Sequence, residues 1–267
     1  MGNRFLISFP FHHQPLIAQM ISRMVEYGRE PVAVTDRNEV LLIENCRAIV
    51  CMDDARTELE HADILIEGPA IKAVGRNLRE KMNLPATIPA IDGRGHVALP
   101  GFVNVHHHFF QVLSRTFPRV QNAGLFNWLV EQYHIWDAID PGAEYIAAQV
   151  ALAELIQTGC TTTSDHHYLF PAAQPVEMID QEICAAREIG VRFQPTRGSM
   201  TLGESNGGLP PESVVEPDDR VLTDYERLIG TYHDPSPYSM LRLSLAPCAP
   251  FNVTEGLFRE TVQVARH

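Results

Sequence analysis

Two histidines, His106 and His108, stand two residues apart at the end of an apolar run, HVALPGFVNV, residues 96–105. Read as a buried strand, residues i and i+2 share a face, so both imidazoles point the same way. Two neutral imidazoles in fixed relation are half of a zinc or iron site. His107 points the other way and reads as structural. A tag-like histidine tract would sit at a terminus in polar surroundings, whereas this one closes a strand. Gln111, three residues on, brings a primary amide that donates and accepts at once; its competing role is that of a surface turn residue. His166, His167 and Tyr168 follow a second strand, CTTTSD, residues 160–165. Adjacent residues face opposite ways, so one of the two histidines lines a pocket. His167 is favoured, two on from Asp165, against a histidine tied to loop backbone. Phe251, in APCAPF, offers a face for stacking on a heterocycle. Trp128 and Trp136 read as helix packing rather than a stacking cage, and Cys248 as a buried inert thiol.

The elements that must position these groups alternate after Gly95. Strand HVALPGFVNV precedes a helical region containing FNWLVEQYHIW. Asp140 and Pro141 have the character of an N-cap and first helical residue, and Gly159 closes the helix they begin. CTTTSD, VRFQPT and LRLSLAP are the next strands, separated by helices over PVEMIDQEICAAREIG and DDRVLTDYERLIGTYH. Thr254 caps a last helix. Repeated strand–helix units imply parallel strands with right-handed crossovers. A (β/α)8 barrel fits, with the histidines at the mouth where barrel active sites form. A doubly wound sheet is the runner-up, and no Gly-rich dinucleotide fingerprint follows any strand. Before Gly95, LLIENCRAIVCMD and ADILIEGPAIKAVG are short β-rich runs joined through a Gly68-Pro69 turn, in which Ile64, Ile66, Ile71 and Val74 would pack one small sheet on another. The predicted organisation is α/β: an N-terminal extension of unknown role at 1–40, a small β-sandwich domain at 41–95, and the first half of a TIM-like barrel at 96–267. The segment 197–217, rich in Gly, Ser and Pro, reads as a βα-loop at the active face, either a lid or a mobile surface loop.

The 267 residues carry a net charge of −12, with 45% hydrophobic residues. That balance argues against a nucleic-acid polymer and against an anionic membrane surface as partners. The apolar stretch at 5–24 is interrupted by Pro10, His12, His13, Gln14 and Pro15, too broken for a membrane span. Five scattered cysteines form no C-x-x-C pair, as expected of a reduced cytoplasmic protein.

PGFVNVHHH resembles the PGF-x-(N/D)-x-H-x-H opening of the amidohydrolase superfamily. TTTSDHHYLFP (161–171), RGSMTLGESNGGLPP (197–211) and LAPCAPFNVT (245–254) are similar to 8-oxoguanine deaminases and hydroxyatrazine-type aminohydrolases within it. The resemblance covers about 41–267. It implies one divalent metal, zinc ahead of iron, bound by His106 and His108. It also implies a hydrolytic deamination of a small oxopurine or triazine-like ring. The metal would lower the pKa of water to near ~7, and hydroxide would attack the ring carbon bearing the leaving group, with carboxyl groups moving the protons. Zinc nucleobase deaminases of another fold run the same chemistry. Gln111, His167, Tyr168 and Phe251 would contact the substrate. Guanine deaminases share an H-x-H-x-x-Q, but carry an arginine before the comparable phenylalanine; Pro250 stands there here, which counts against a plain guanine deaminase.

The same resemblance assigns further metal ligands and the acid–base carboxylates to strands 5, 6 and 8, whereas four barrel strands are counted here. The expectation is therefore a chain truncated at its C-terminus, inactive alone, with homo-oligomerisation left open for the full length. His267 is rejected as a ligand, since it follows strand 4 on the barrel exterior. Binuclear members carry a carboxylated lysine at the end of strand 4; LRLSLAPCAPF has none, and the lysines are Lys72 and Lys81 alone, which favours one metal. The alternatives are a deaminase of adenosine-type nucleosides or cytosine, and a catalytically dead fragment.

Overall fold

The structure, a computed structural model, describes residues 5–7 and 40–266. Apart from these, the extension at 1–40 lies outside the described residues, as does His267. Two compact units divide the chain, Met1–Phe102 and Val103–His267. No helix among the described residues is long and apolar enough to cross a membrane.

The first unit contains β1 (Phe5–Ile7), β2 (Val40–Val50), β3 (Glu58–Glu67), β4 (Ala70–Gly75), the short α1 (Leu78–Lys81), β5 (Ala90–Asp92) and β6 (Val97–Pro100). They form one mixed sheet in the order β1-β6-β2-β3-β4, with β5 also paired to β2. The Gly68-Pro69 turn joins β3 to β4, and Gly68 adopts the positive φ of 54° that the turn demands. Ile64 pairs with Val74 and Ile66 with Ile71 across that hairpin, so these four line neighbouring strands instead of facing each other from two sheets. A bulge between Ile43 and Cys46, with Asn45 at φ 60°, bends the long β2. Residues from both sides of the bend, Ile43, Ile49, Ile64 and Ala98, then share one core. Leu42, Leu65 and Leu78 make a smaller core on the other face.

The second unit is the N-terminal part of a (β/α)8 barrel. After β7 (Phe102–Asn104) come α2 (Leu125–Trp136), α3 (Pro141–Gln157), β8 (Cys160–His167), α4 (Met178–Ile189), β9 (Arg192–Arg197), α5 (Asp218–Tyr232), β10 (Ser244–Leu245) and α6 (Glu255–Val264). The described sheet runs β10-β9-β8-β7, and β8, β9 and β10 are parallel. The predicted caps hold: the Asp140 side chain accepts from Ala143 N at 2.7 Å, and Thr254 Oγ1 from Leu257 N at 3.2 Å. Gly190 ends α4 at φ 80°, where a Cβ would be strained. Ala148, Ala151 and Leu152 of α3 meet Ile179 and Ile183 of α4 over Phe193 of β9, the main core.

One expectation fails at the join. HVALPGFVNV is not a single buried strand. It breaks at Gly101 into β6, which pairs in the first sheet, and β7, which belongs to the second. β7 is an edge strand of the described sheet, so Phe102, Val103 and Val105 are exposed.

Candidate metal centre

β7 ends at Asn104, and His106 and His108 follow in extended chain before a 3-10 turn, Phe109–Leu113, that carries Gln111. The turn is anchored by Phe109 N, which donates to Asp165 Oδ1 at 2.7 Å. The two imidazoles lie together, ring centroids 5.1 Å apart and nearly perpendicular. His106 is exposed and His108 half-buried. His108 Nδ1 is 2.8 Å from the His166 carbonyl oxygen, which only accepts. Nδ1 therefore carries the proton, and Nε2 keeps its lone pair. Burial lowers the His108 pKa to about 4, outweighing that hydrogen bond, so the ring is neutral at pH 7.

β8 supplies the neighbouring groups by alternation. Thr163, Asp165 and His167 are buried, and Ser164 and His166 lie on the other face, partly exposed. His166 stands beside His108, centroids 5.6 Å apart, and its Nε2 donates to the Ala246 carbonyl at 2.8 Å. Burial lowers its pKa as well. Tyr168 packs against both rings, nearly perpendicular to His108 at 5.2 Å and tilted to His166 at 5.4 Å. Its hydroxyl accepts from the Gln111 amide at 3.1 Å, and burial keeps it protonated, with a pKa raised well above the ordinary phenol value.

The structure thus brings together His106, His108, Gln111 and Tyr168, and adds His166. It does not bring His167. That ring is fully buried on the opposite face of β8, its Nδ1 3.0 Å from Glu182 and 3.6 Å from Glu144. His167 shares its strand face with Asp165, as alternation requires, and that face is the one turned toward the helices, away from His106 and His108. Phe251 has Phe126 of α2 as its ring partner, 5.6 Å away. Trp136 packs edge-on to Phe110 at 4.9 Å and donates from Nε1 to Ser114, a core role. Burial pushes the Cys248 thiol up to about 11, which removes it as a nucleophile at neutral pH.

Both ends of the segment after β9 are anchored. Arg197, fully buried, pairs with both oxygens of Glu216 at 2.9 Å and with Asp224 at 2.8 Å, and its guanidinium lies 3.5 Å over the Phe170 ring. Thr201 N and Leu202 N both donate to Asn252 O, and Cys248 N to Ser199 O. The two motifs at 197–211 and 245–254 are therefore stitched into one wall.

The amidohydrolase family profile matches residues 97–267. An 8-oxoguanine deaminase of Pseudomonas aeruginosa is 46% identical over 177 residues, 66% of this chain and 39% of that protein. A hydroxydechloroatrazine ethylaminohydrolase of Pseudomonas sp. (strain ADP) is 33% identical over 226 residues, 82% of this chain and 47% of that protein. Among solved structures, the atrazine chlorohydrolase of Arthrobacter aurescens TC1 complexed with zinc superposes with a TM-score of 0.79 at 36% identity, covering 85% of this chain and 50% of that one. The chain spans no more than about half the length of these relatives.

Proposed function

The chain belongs to the amidohydrolase family, and on that premise we propose that it contributes to a metal-dependent aminohydrolase of small nitrogen heterocycles, with 8-oxoguanine or a related oxopurine or triazine as substrate. One observation carries the reading: two imidazoles two residues apart at a strand end, one of them held neutral with its Nδ1–H engaged. That is the donor set and the outer hydrogen bond of a zinc-type ligand, with His108 Nε2 left free to bind. The fit of His106 and His108 to one divalent cation, zinc ahead of iron, rests on this chemistry. When bound, such an ion acts as a Lewis acid and lowers the pKa of water toward neutrality. The zinc complex of the 36%-identical relative supports the choice of metal.

The remaining groups bind and orient. Gln111, steadied by Tyr168, keeps its carbonyl and one N–H for the lactam edge of a ring. His166, neutral, stands beside His108, with ring centroids 5.6 Å apart. Phe251 supplies an apolar ring, 38% exposed, for the heterocycle. The net charge of −12 disfavours polyanions as partners, and the five free cysteines suit a reduced cytoplasm.

The test is a His106→Ala/His108→Ala variant of the whole protein. It should lose one equivalent of metal and release no ammonia from 8-oxoguanine. Undiminished metal together with retained turnover would overturn the assignment.

A further inference from the structure

Behind β8 lies a second cluster that the His106–His108 site does not use. Glu144 from the first turn of α3, Glu182 from α4 and His167 from β8 each have no exposed surface. Each offers one ligand atom, and these atoms all lie within 4.8 Å of one another. Among the described residues, no donor outside the cluster bonds to either carboxylate oxygen of Glu144 or of Glu182, and no hydrogen-bond partner is aligned on His167 Nδ1. Asp165, buried on the same strand face, adds a third carboxyl; its Oδ1 is taken by Phe109 N. Among the described residues the one cationic side chain within ion-pair reach of Glu144 and Glu182 is His167 itself.

We infer that Glu144, His167 and Glu182 form a buried site for a structural divalent cation of the zinc or manganese type. Three facts support it. His167 Nε2 sits 2.7 Å from the Leu169 carbonyl, so Nε2 holds the proton and Nδ1 turns its lone pair toward the two carboxylates. That outer hydrogen bond is the usual way a protein fixes the tautomer of a metal-binding histidine. Second, Nδ1 is 3.0 Å from Glu182 Oε1, yet out of hydrogen-bonding alignment with it. Nδ1 thus stands beside both carboxylates, 3.0 Å from one and 3.6 Å from the other. Third, the spacing is near that of a metal shell. Tetrahedral bonds of about 2.0–2.2 Å put neighbouring ligand atoms roughly 3.3–3.6 Å apart. From Nδ1 the edges are 3.0 Å to Glu182, shorter than that range, and 3.6 Å to Glu144, and the ligand atoms all lie within 4.8 Å of one another. The second oxygens of the glutamates are unpartnered too, so a further donor is at hand for the fourth position. One imidazole and two carboxylates suit zinc, manganese or ferrous iron over calcium, which takes an all-oxygen shell.

A cation here would tie α3 and α4 to β8, the strand that carries His166 and Tyr168. This inference is independent of the His106–His108 site. Its competitor is protons: two glutamates sharing one and His167 holding another would also relieve the burial of like charges. Zinc counting separates the two. The full chain, purified with zinc and dialysed against a weak chelator, is compared with a His106→Ala/His108→Ala variant and with that variant carrying Glu144→Gln and Glu182→Gln. The first variant should retain one zinc per chain and melt at lower temperature after EDTA treatment. The second should hold none and be indifferent to EDTA. A zinc-free His106→Ala/His108→Ala variant whose melting ignores EDTA would overturn the proposal. Should these substitutions prevent folding, an anomalous diffraction map of the zinc-loaded unaltered chain decides instead: a zinc peak among Glu144, His167 and Glu182 is expected, and its absence overturns the proposal whether or not zinc lies at His106 and His108.

Discussion

Replacing Arg197 with methionine tests whether the wall around the site is held by a buried charge. Arg197 has no exposed surface, and Glu216 and Asp224, which it neutralises, are 1% and 3% exposed. Methionine keeps an apolar stem against Phe170 but leaves both carboxylates short of a partner. Removing one member of a buried pair costs roughly 3–5 kcal/mol, mostly because the other charge is stranded. The lower end applies here. Asp224 keeps Arg227 at 2.8 Å, and Glu216 keeps Arg220 at 3.5 Å. A loss of roughly 3 kcal/mol lowers the melting temperature by about 6–12 °C in a domain of this size. The loss should be local at first. Amide exchange should quicken at Glu216, whose N–H donates to Met200 O, and at Thr201 and Leu202, which donate to Asn252 O. Adding Glu216→Gln and Asp224→Asn removes the stranded charges and should restore part of the stability. Thermal or urea melting of the single and triple variants, with hydrogen exchange on the single one, is the assay. An Arg197→Met variant within about 1 kcal/mol of the parent, or a triple variant no better than the single, would refute the argument.

Three further outcomes follow from the site. Gln111→Ala should lower kcat/KM for an oxopurine about 5–150-fold by leaving a polar edge unpaired, with metal content unchanged; steady-state kinetics and metal analysis check both halves. Gly198→Ala would bring a Cβ within 2.7 Å of the His167 carbonyl and the Tyr168 Cβ and within 2.8 Å of His166 Nε2. It should cost roughly 1–3 kcal/mol by overpacking and weaken substrate binding, read by melting and by KM. In the metal-free chain, stability should fall as pH drops from about 6.5 toward about 4. The unfolded imidazole of His108 takes up a proton there that the buried one refuses; acid titration of a His108→Asn variant should show a flatter fall.

How much of this was legible depends on whether a feature is local. Asp140, Thr254 and Gly190 were readable because a cap is a contact within a few residues of itself, and all three stand where the local rules put them. The parallel strand–helix units were readable because their apolar periodicity is repeated along the chain. The break at Gly101 was not. An apolar run of ten residues carries no mark of which sheet each half will join, and β2 and β8, which decide it, are far away in sequence.

The histidines of β8 show the same limit at the site itself. Alternation tells that His166 and His167 face opposite ways; it does not tell which faces inward, because a period has no phase. The phase is a matter of long-range packing: Asp165 accepts from Phe109 N and lies with His167 on the buried face, and His166 is left beside His108. Glu144 was hidden for a related reason. An acid in the first turn of a helix is ordinarily a solvated partner of the helix dipole, and only packing against α4 and β8 reveals it as a fully buried carboxylate facing a second one. The signal for the histidines was present in one residue. A strand aspartate two positions before a histidine needs a partner if it is buried. The nearest unsatisfied donors are the backbone N–H groups of the turn after His108, which lack helical acceptors of their own. Asking where Asp165 finds its hydrogen bond, before asking which histidine binds, puts Asp165 against that turn, His167 behind the strand and His166 in front of it.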